Sequence, residues 1–142
     1  MKSITADLTD GYRVEIRGEG HTWLADEPLD AGGSDTGPTP YEMLLGSLAA
    51  CTCITLSMYA RRKGWALASI SVRYEYEKIH ANDCEFCDED EDGFIDTVSS
   101  QIFIEGDFDE EARARLAEVA VRCPVHKTLE AGIHFDDEVI VG

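Results

Sequence analysis

The stretch that decides the fold is residues 37–64, GPTPYEMLLGSLAACTCITLSMYARRKG. Thr39 is suited to cap a helix N-terminus, Pro40 suits the first helical position, and Glu42 completes a capping box three residues after the cap. The far end carries three cations that complement the helix dipole and a glycine that ends the helix: Arg61, Arg62, Lys63 and Gly64. These signals predict one long helix over nearly the whole stretch.

Residues 43–58 of this stretch carry no charge and are apolar or small on every face. A helix of this kind is either buried in a protein core or spans a membrane, which takes about 20 apolar residues. Four hydroxyl side chains interrupt the run and disfavour the membrane span: Ser47, Thr52, Thr55 and Ser57. We therefore expect a buried central helix.

Length, charge and cysteine content limit the function. The 142 residues suit one domain spanning 1–142, and 29 acidic against 12 basic side chains give a net charge of −17. This charge argues against binding to nucleic acid or to an anionic membrane surface, since both would be repelled. No apolar run of signal-peptide length opens the chain, so we expect a cytoplasmic protein. In that reducing compartment its five cysteines are expected to be free thiols, metal ligands or redox centres.

Alternating apolar and polar residues predict strands on both sides of the central helix. The predicted strands are Ile4–Leu8, Tyr12–Ile16, His21–Ala25, Leu67–Lys78, Phe94–Glu105 and Ile133–Val141. A change of parity near Ser99–Ser100 indicates either a bulge or a misplaced start of this strand. A second helix is predicted from an N-cap at Asp107 to about Cys123, followed by a helical turn at Val125–Ala131. The predicted fold class is α+β, with a mostly antiparallel sheet wrapped around the long buried helix.

Three cysteines on predicted helices are candidates for thiol chemistry. Cys51 and Cys53 point roughly 200° apart and cannot share a site. A cysteine in an apolar helix is most often a small packing residue, and that interpretation stays open. Cys123 precedes a proline and lies three residues before His126, which either assists it or caps the helix.

If Cys51 and Cys123 meet, two helices build a dithiol with a defined chemistry. A thiolate attacks the O–O bond of a peroxide, and the second cysteine converts the resulting sulfenic acid to a disulfide. An external thiol then restores the pair by exchange.

Three stretches of the chain carry a family likeness: G-G-x-D-x-G-P-T-P-Y-E-x-L-L-x-x-L-x-A-C-T, M-Y-A-R-R-K-G-W and R-C-P-V-H-K-T-L-E. Together they resemble the OsmC/Ohr family of osmotically inducible and organic hydroperoxide resistance proteins, in its broader OsmC-like branch. The resemblance implies an intertwined homodimer and thiol peroxidase activity toward organic hydroperoxides, with a dithiol as reductant and no metal or organic cofactor. By position, it implies that Cys51 is the peroxidatic thiol and Cys123 the resolving thiol.

The resemblance also implies a glutamate and an arginine that assist the thiol. The glutamate of the hydroperoxide-resistance branch follows the proline directly, where this chain has Tyr41, so Glu42 one place on is the candidate. For the arginine, Arg17 is preferred over Arg13. Two alternatives stay open: Glu42 as a capping-box acceptor, and both arginines as surface residues of a strand.

A second group of potential ligands follows the long strand after the central helix. His80, Cys84 and Cys87 can supply three tetrahedral zinc ligands, and Asp83 or a partner chain would have to complete the site. A disulfide in this loop and two idle thiols are the alternatives. The rival hypothesis for the whole chain is a protein that binds a small ligand or a partner without turnover, with structural cysteines.

Overall fold

The structure is a computed structural model that describes residues 1–84 and 93–142. The described chain forms two compact units, residues 1–46 and 47–142, and each is treated by itself. The expectation of one domain over residues 1–142 therefore stays a prediction.

The first unit contains a three-stranded antiparallel sheet with the order β1-β2-β3. Its strands are β1 (Thr5–Asp10), β2 (Arg13–Arg17) and β3 (Thr22–Ala25). A turn containing Gly11, with φ of 56°, joins β1 to β2. The three predicted strands are thus confirmed, with ends that differ by a residue or two.

After β3, a loop closes around the carboxylate of Asp26, which is only 2% exposed. The Thr36 hydroxyl donates to it at 2.6 Å, and the backbone N–H groups of Glu27, Ser34 and Thr36 donate at 2.8–3.4 Å. A Cβ on Gly33 would overlap the Glu27 carbonyl. The glycine-rich loop therefore packs on its own backbone, and the glycine is needed for that contact.

Replacing Asp26 with asparagine is expected to lower the melting temperature by several degrees at pH 7. The Thr36 hydroxyl bond and the backbone donors lower the pKa of Asp26 to about 2, against the opposing effect of burial. Its stabilisation is therefore present above the unfolded pKa of about 4 and is lost as the pH falls toward 2. Thermal melts between pH 7 and pH 2 should show the difference from wild type vanish, whereas Asp30→Asn should change little at any pH.

Helix α1 (Pro40–Lys63) confirms the predicted long helix. Its start is the predicted capping box: the Glu42 N–H donates to the Thr39 hydroxyl at 3.2 Å, and the Thr39 N–H donates to the Glu42 carboxylate at 3.1 Å. The cations Arg61, Arg62 and Lys63 occupy its last turn. Among the described helices, α1 alone is long and apolar enough to cross a membrane, a test that core helices also pass.

The burial of α1 differs from the expectation of a helix covered on every face. Within this chain a single stripe, spaced four residues apart, is buried: Leu48, Thr52, Leu56 and Ala60. Ile54 and Met58 on other faces are 58% and 67% exposed. The physical reason is geometric, because within the second unit the other elements pack on one side of residues 47–63.

The second unit contains the antiparallel hairpin of β4 (Ala66–His80) and β5 (Phe94–Asp107), as predicted. The predicted bulge near Ser99–Ser100 is wrong, because the register runs unbroken through Glu75↔Ser99 and Tyr74↔Ser100. The irregularity lies instead between Leu67 and Ser69. The parity changes because the half-buried β5 residues lie on opposite faces at its two ends: Ile95 and Thr97 on one face, Ile102 and Ile104 on the other.

Two helices follow, α2 (Glu110–Ala120) and α3 (Pro124–Ala131). The N-cap of α2 is Asp109, whose carboxylate accepts from the Ala112 N–H at 2.8 Å, and not the predicted Asp107, which ends β5. Helix α2 packs on the buried stripe of α1. The resulting core consists of Leu56, Ala60, Leu116 and Ala120, with side chains of the hairpin packed around it.

The predicted last strand, Ile133–Val141, is wrong for the single chain. Residues 133–142 have no regular secondary structure, and their apolar side chains are exposed, Phe135 by 81% and Val141 by 89%. A segment with alternating residues forms a strand only where it can hydrogen-bond to the edge of a sheet. Within the described residues, no strand pairs with this segment.

Candidate functional site

Three cysteines in the described part of the chain are free thiols: Cys51, Cys53 and Cys123. Cys51 is half-buried on α1, and its Sγ lies 4.0 Å from the Thr55 hydroxyl one turn further on. Cys53, also half-buried, lies two residues on and therefore faces away from it. Cys51 is thus a partly accessible thiol with one hydroxyl beside it.

Cys123 is completely buried and forms the N-cap of α3. Its backbone is extended, with φ of −65° and ψ of 152°, because the following Pro124 excludes the helical conformation at this residue. Its Sγ accepts the backbone N–H of His126 at 3.4 Å. The imidazole of His126 lies instead near Glu130, with Nε2 3.8 Å from the carboxylate. His126 therefore donates a hydrogen bond to the Cys123 thiol from its backbone and not from its ring.

The Thr52 hydroxyl joins Cys123 to α1. Thr52 is completely buried and donates to the Cys123 Sγ at 3.7 Å. The same oxygen lies 2.7 Å from the Tyr74 hydroxyl on β4. Cys123 therefore contacts α1 at the residue that directly follows Cys51.

A groove of about 590 Å³ is lined by Thr55 and Pro124, which are neighbours of Cys51 and Cys123, and neither sulfur belongs to its lining. Its walls are mostly apolar with two guanidinium groups: Thr55, Met58, Tyr59, Arg61, Arg62 and Pro124. Thr55 lies 4.0 Å from the Cys51 Sγ and Pro124 directly follows Cys123, so the groove borders a neighbour of each cysteine. Its composition suits an organic molecule rather than a small polar one.

The two residues expected to assist the thiol have other partners. Glu42 is held in the capping box of α1. Arg17, on the exposed end of β2, is paired with the carboxylates of Asp7 and Glu15, whose hydrogen bonds raise its pKa. The Nε of Arg13 is buried and has no hydrogen-bond partner among the described residues. The assignment of Glu42 and Arg17 as assisting residues stays a prediction.

The predicted zinc ligands are only partly described. His80 caps the turn after β4, with Nδ1 accepting the Asn82 N–H at 3.2 Å, and its ring packs edge-on against Phe94. Cys84 is disulfide-bonded, and Cys87 lies outside the described residues. No group of three or more metal-ligating side chains exists among residues 1–84 and 93–142.

The model of the OsmC family, described as OsmC-like protein, matches residues 32–137. The chain belongs to the OsmC-like family. No curated protein sequence matches it.

Solved OsmC-like structures share the fold. The OsmC-like protein of Mycoplasma pneumoniae has a TM-score of 0.69 at 20% identity, covering 92% of this chain and 87% of its own. An organic hydroperoxide resistance protein OsmC of Legionella pneumophila has 0.60 at 20%, covering 89% and 87%. The organic hydroperoxide resistance protein OhrB of Bacillus subtilis has 0.56 at 21%, covering 89% and 88%. These likenesses confirm the antiparallel α+β fold class.

Two residues of this site, Thr52 and Tyr74, carry almost no signal in the sequence. Thr52 and Tyr74 are 22 residues apart, and their hydroxyl groups meet only because β4 packs against α1. The position of Thr52 directly after Cys51 is a weak hint, since a hydroxyl inside an apolar helix requires a partner.

Proposed function

We propose that this OsmC-like protein is a thiol-dependent peroxidase that reduces organic hydroperoxides through Cys51 and Cys123. The observation that carries the proposal is that Cys123, from a different helix, is buried against α1 at the residue next to Cys51. Both thiols are free, and this neighbourhood supports a pair that can form a disulfide.

Exposure supports the order of the two cysteines. Cys51 is half-buried and Cys123 completely buried, so Cys51 is the more accessible of the two thiols to a substrate. The Cys51 thiolate attacks the terminal peroxide oxygen, the O–O bond breaks, and Cys51 becomes a sulfenic acid. The alkoxide leaves and takes a proton from water to become the alcohol. The Cys123 thiolate then attacks the Cys51 Sγ, the S–O bond breaks, and the hydroxide leaves as water once protonated. An external dithiol returns both sulfurs to thiols.

The groove supports an organic substrate over hydrogen peroxide. Met58, Tyr59 and Pro124 offer apolar surface to an organic side chain, and hydrogen peroxide gains nothing from such contacts. The substrate class proposed is therefore organic hydroperoxides.

The test is turnover with cumene hydroperoxide and dithiothreitol, together with capture of the sulfenic acid by dimedone. We expect faster consumption of cumene hydroperoxide than of hydrogen peroxide, and dimedone on the Cys51 peptide when Cys123→Ser blocks resolution. A protein that consumes neither peroxide and acquires no dimedone is not a peroxidase.

A second candidate function is binding of a small apolar ligand without turnover. Glu42 and Arg17 were expected to assist the Cys51 thiol. This second function is favoured because Glu42 caps α1 and Arg17 is paired with two carboxylates. The same dimedone experiment separates the two functions, because a binding protein forms no sulfenic acid at Cys51.

We propose further that the protein is a homodimer in which a second copy covers exposed apolar residues of the single chain. Ile54 on α1 is 58% exposed and Phe103 on β5 is 60% exposed. Such exposure of large apolar side chains on a helix and a strand marks a surface that a partner can cover. Because each copy carries a charge of −17, apolar contact must drive the association against repulsion.

Ile54→Asp is expected to convert the dimer to a monomer, because it places a charge in the proposed apolar interface. Analytical ultracentrifugation measures the change, and added salt should strengthen wild-type association by screening repulsion. Ser3→Asp adds the same charge at an exposed terminal residue and should leave the dimer intact. A wild-type protein that sediments as a monomer at all concentrations would refute the proposal.

A further inference from the structure

The Cys123 sulfur accepts two hydrogen bonds inside the core. One comes from the His126 N–H at 3.4 Å and the other from the Thr52 hydroxyl at 3.7 Å. A threonine hydroxyl has one proton, so when Thr52 donates to the sulfur, the Tyr74 hydroxyl 2.7 Å away must donate to Thr52. Tyr74 is half-buried, so this chain of hydroxyls runs from the partly exposed β4 to a completely buried sulfur.

The surroundings of Cys51 are different. Within residues 1–84 and 93–142, its Sγ has one hydrogen-bonding partner, the Thr55 hydroxyl at 4.0 Å, and it is half-buried. Among the described residues, then, the two sulfurs of the proposed pair differ in both accessibility and donors. In thiol–disulfide exchange, the attacked sulfur must be accessible, and the departing sulfur must carry the negative charge.

We propose that Thr52, supported by Tyr74, is a positioning residue that makes Cys123 the departing sulfur when a dithiol reduces the Cys51–Cys123 disulfide. The inference rests on the pairing of these cysteines proposed above. The reductant thiolate attacks the Cys51 Sγ and forms a new S–S bond. The Cys51–Cys123 bond breaks, and its electron pair stays on the Cys123 Sγ. The second thiol of the reductant then attacks its own sulfur in the mixed disulfide and releases Cys51 as a thiolate.

The hydroxyl chain is suited to this step because it points protons at the sulfur that gains the charge. A hydrogen bond to a charged acceptor is stronger than one to a neutral acceptor, so the Thr52 hydroxyl stabilises the thiolate more than the disulfide. Thr52 does not touch the reductant, and it acts through Cys123.

The test begins with diamide, a thiol oxidant that forms the disulfide without any hydroperoxide. Wild type, Thr52→Val, Thr52→Ser and Tyr74→Phe are each oxidised, then reduced with dithiothreitol, and both rates are followed by mass spectrometry. Thr52→Val is expected to lower the ratio of the reduction rate to the oxidation rate by about tenfold, and Tyr74→Phe by less. Thr52→Ser keeps the hydroxyl and should retain the wild-type ratio.

The position of attack gives an independent measurement. With limiting 2-mercaptoethanol, the mixed disulfide should be found on the Cys51 peptide of wild type, and in Thr52→Val it should appear on Cys123 as well. A merely structural role of Thr52 would slow both half-reactions together and leave the position of attack unchanged.

Each outcome decides the proposal. An unchanged ratio in Thr52→Val overturns it, and so does the failure of diamide to form the Cys51–Cys123 disulfide. If Thr52→Val does not fold, a wild-type ratio in Tyr74→Phe overturns the proposal and a lowered ratio supports it. The protein could fail to reduce hydroperoxides while Thr52→Val still lowers the ratio of the two rates for the diamide-formed disulfide. That result would support this inference and reject only the peroxidase function.

Discussion

Replacing Cys51 with serine is expected to reduce hydroperoxide turnover by at least about a thousandfold, the scale on which enzymes lose activity when their nucleophile is removed. A serine hydroxyl has nearly the same volume as the thiol but is scarcely ionised near neutral pH, so it cannot attack the O–O bond. The measurement is consumption of cumene hydroperoxide with dithiothreitol as reductant. The free energy of unfolding should change little, because Cys51 is only half-buried.

Cys53→Ser is the matched control for this experiment. Cys53 lies on the same helix, two residues on, with a comparable exposure, and it faces away from the Cys51 side. Its replacement should leave turnover near the wild-type value. If Cys51→Ser retained full turnover, or if Cys53→Ser abolished it, the assignment of the peroxidatic thiol would be wrong.

The second large effect is expected for Leu56→Ala, which should lower the free energy of unfolding by about 2–5 kcal/mol. Leu56 is completely buried in the core that α1 forms with α2, where it belongs to the cluster containing Leu116. Its truncation removes apolar packing and leaves a cavity that the surrounding helices fill only in part. Urea unfolding followed by circular dichroism measures the decrease.

Ile54→Ala tests whether the decrease in the free energy of unfolding comes from the loss of core packing. Ile54 is 58% exposed in the single chain, so its truncation should have little effect on the unfolding of a monomer. In a dimer its effect should depend on protein concentration, because the Ile54 side chain would then pack against the second copy. The cost of Leu56→Ala should be present at every concentration. A Leu56→Ala protein as stable as wild type would contradict the proposed core.

Local signals predicted the helix starts and strands well, since neighbouring residues in the chain determine them. The capping box of Thr39 and Glu42 involves residues three apart, and the break before Pro124 follows from the proline ring itself. The capping box lies where the sequence placed it, whereas α2 ends at Ala120, three residues before the predicted end at about Cys123. The one misplaced N-cap, Asp107 instead of Asp109, arose because two aspartates two residues apart offer the same local chemistry.

Features that depend on distant residues were not predictable. The alternation of Ile133–Val141 is compatible with a strand, but pairing requires an edge that the single chain does not present to it. The parity change in β5 comes from which face is covered at each end of the hairpin, and this is set by packing. The contact between Thr52 and Cys123 joins residues 71 apart in the chain. No local pattern of residues indicates a contact between two positions so far apart in the sequence.

The length of the hairpin has a mechanical consequence. Strand β4 has 15 residues and extends over about 50 Å, whereas the 11 residues of α2 span only about 16 Å. The base of the ribbon packs on the core, and the Tyr74 hydroxyl holds the ribbon again at Thr52. The six residues of β4 beyond Tyr74 therefore extend about 20 Å as a lever. A bend of about 5° at Tyr74 displaces the tip, near His80 and Phe94, by about 2 Å.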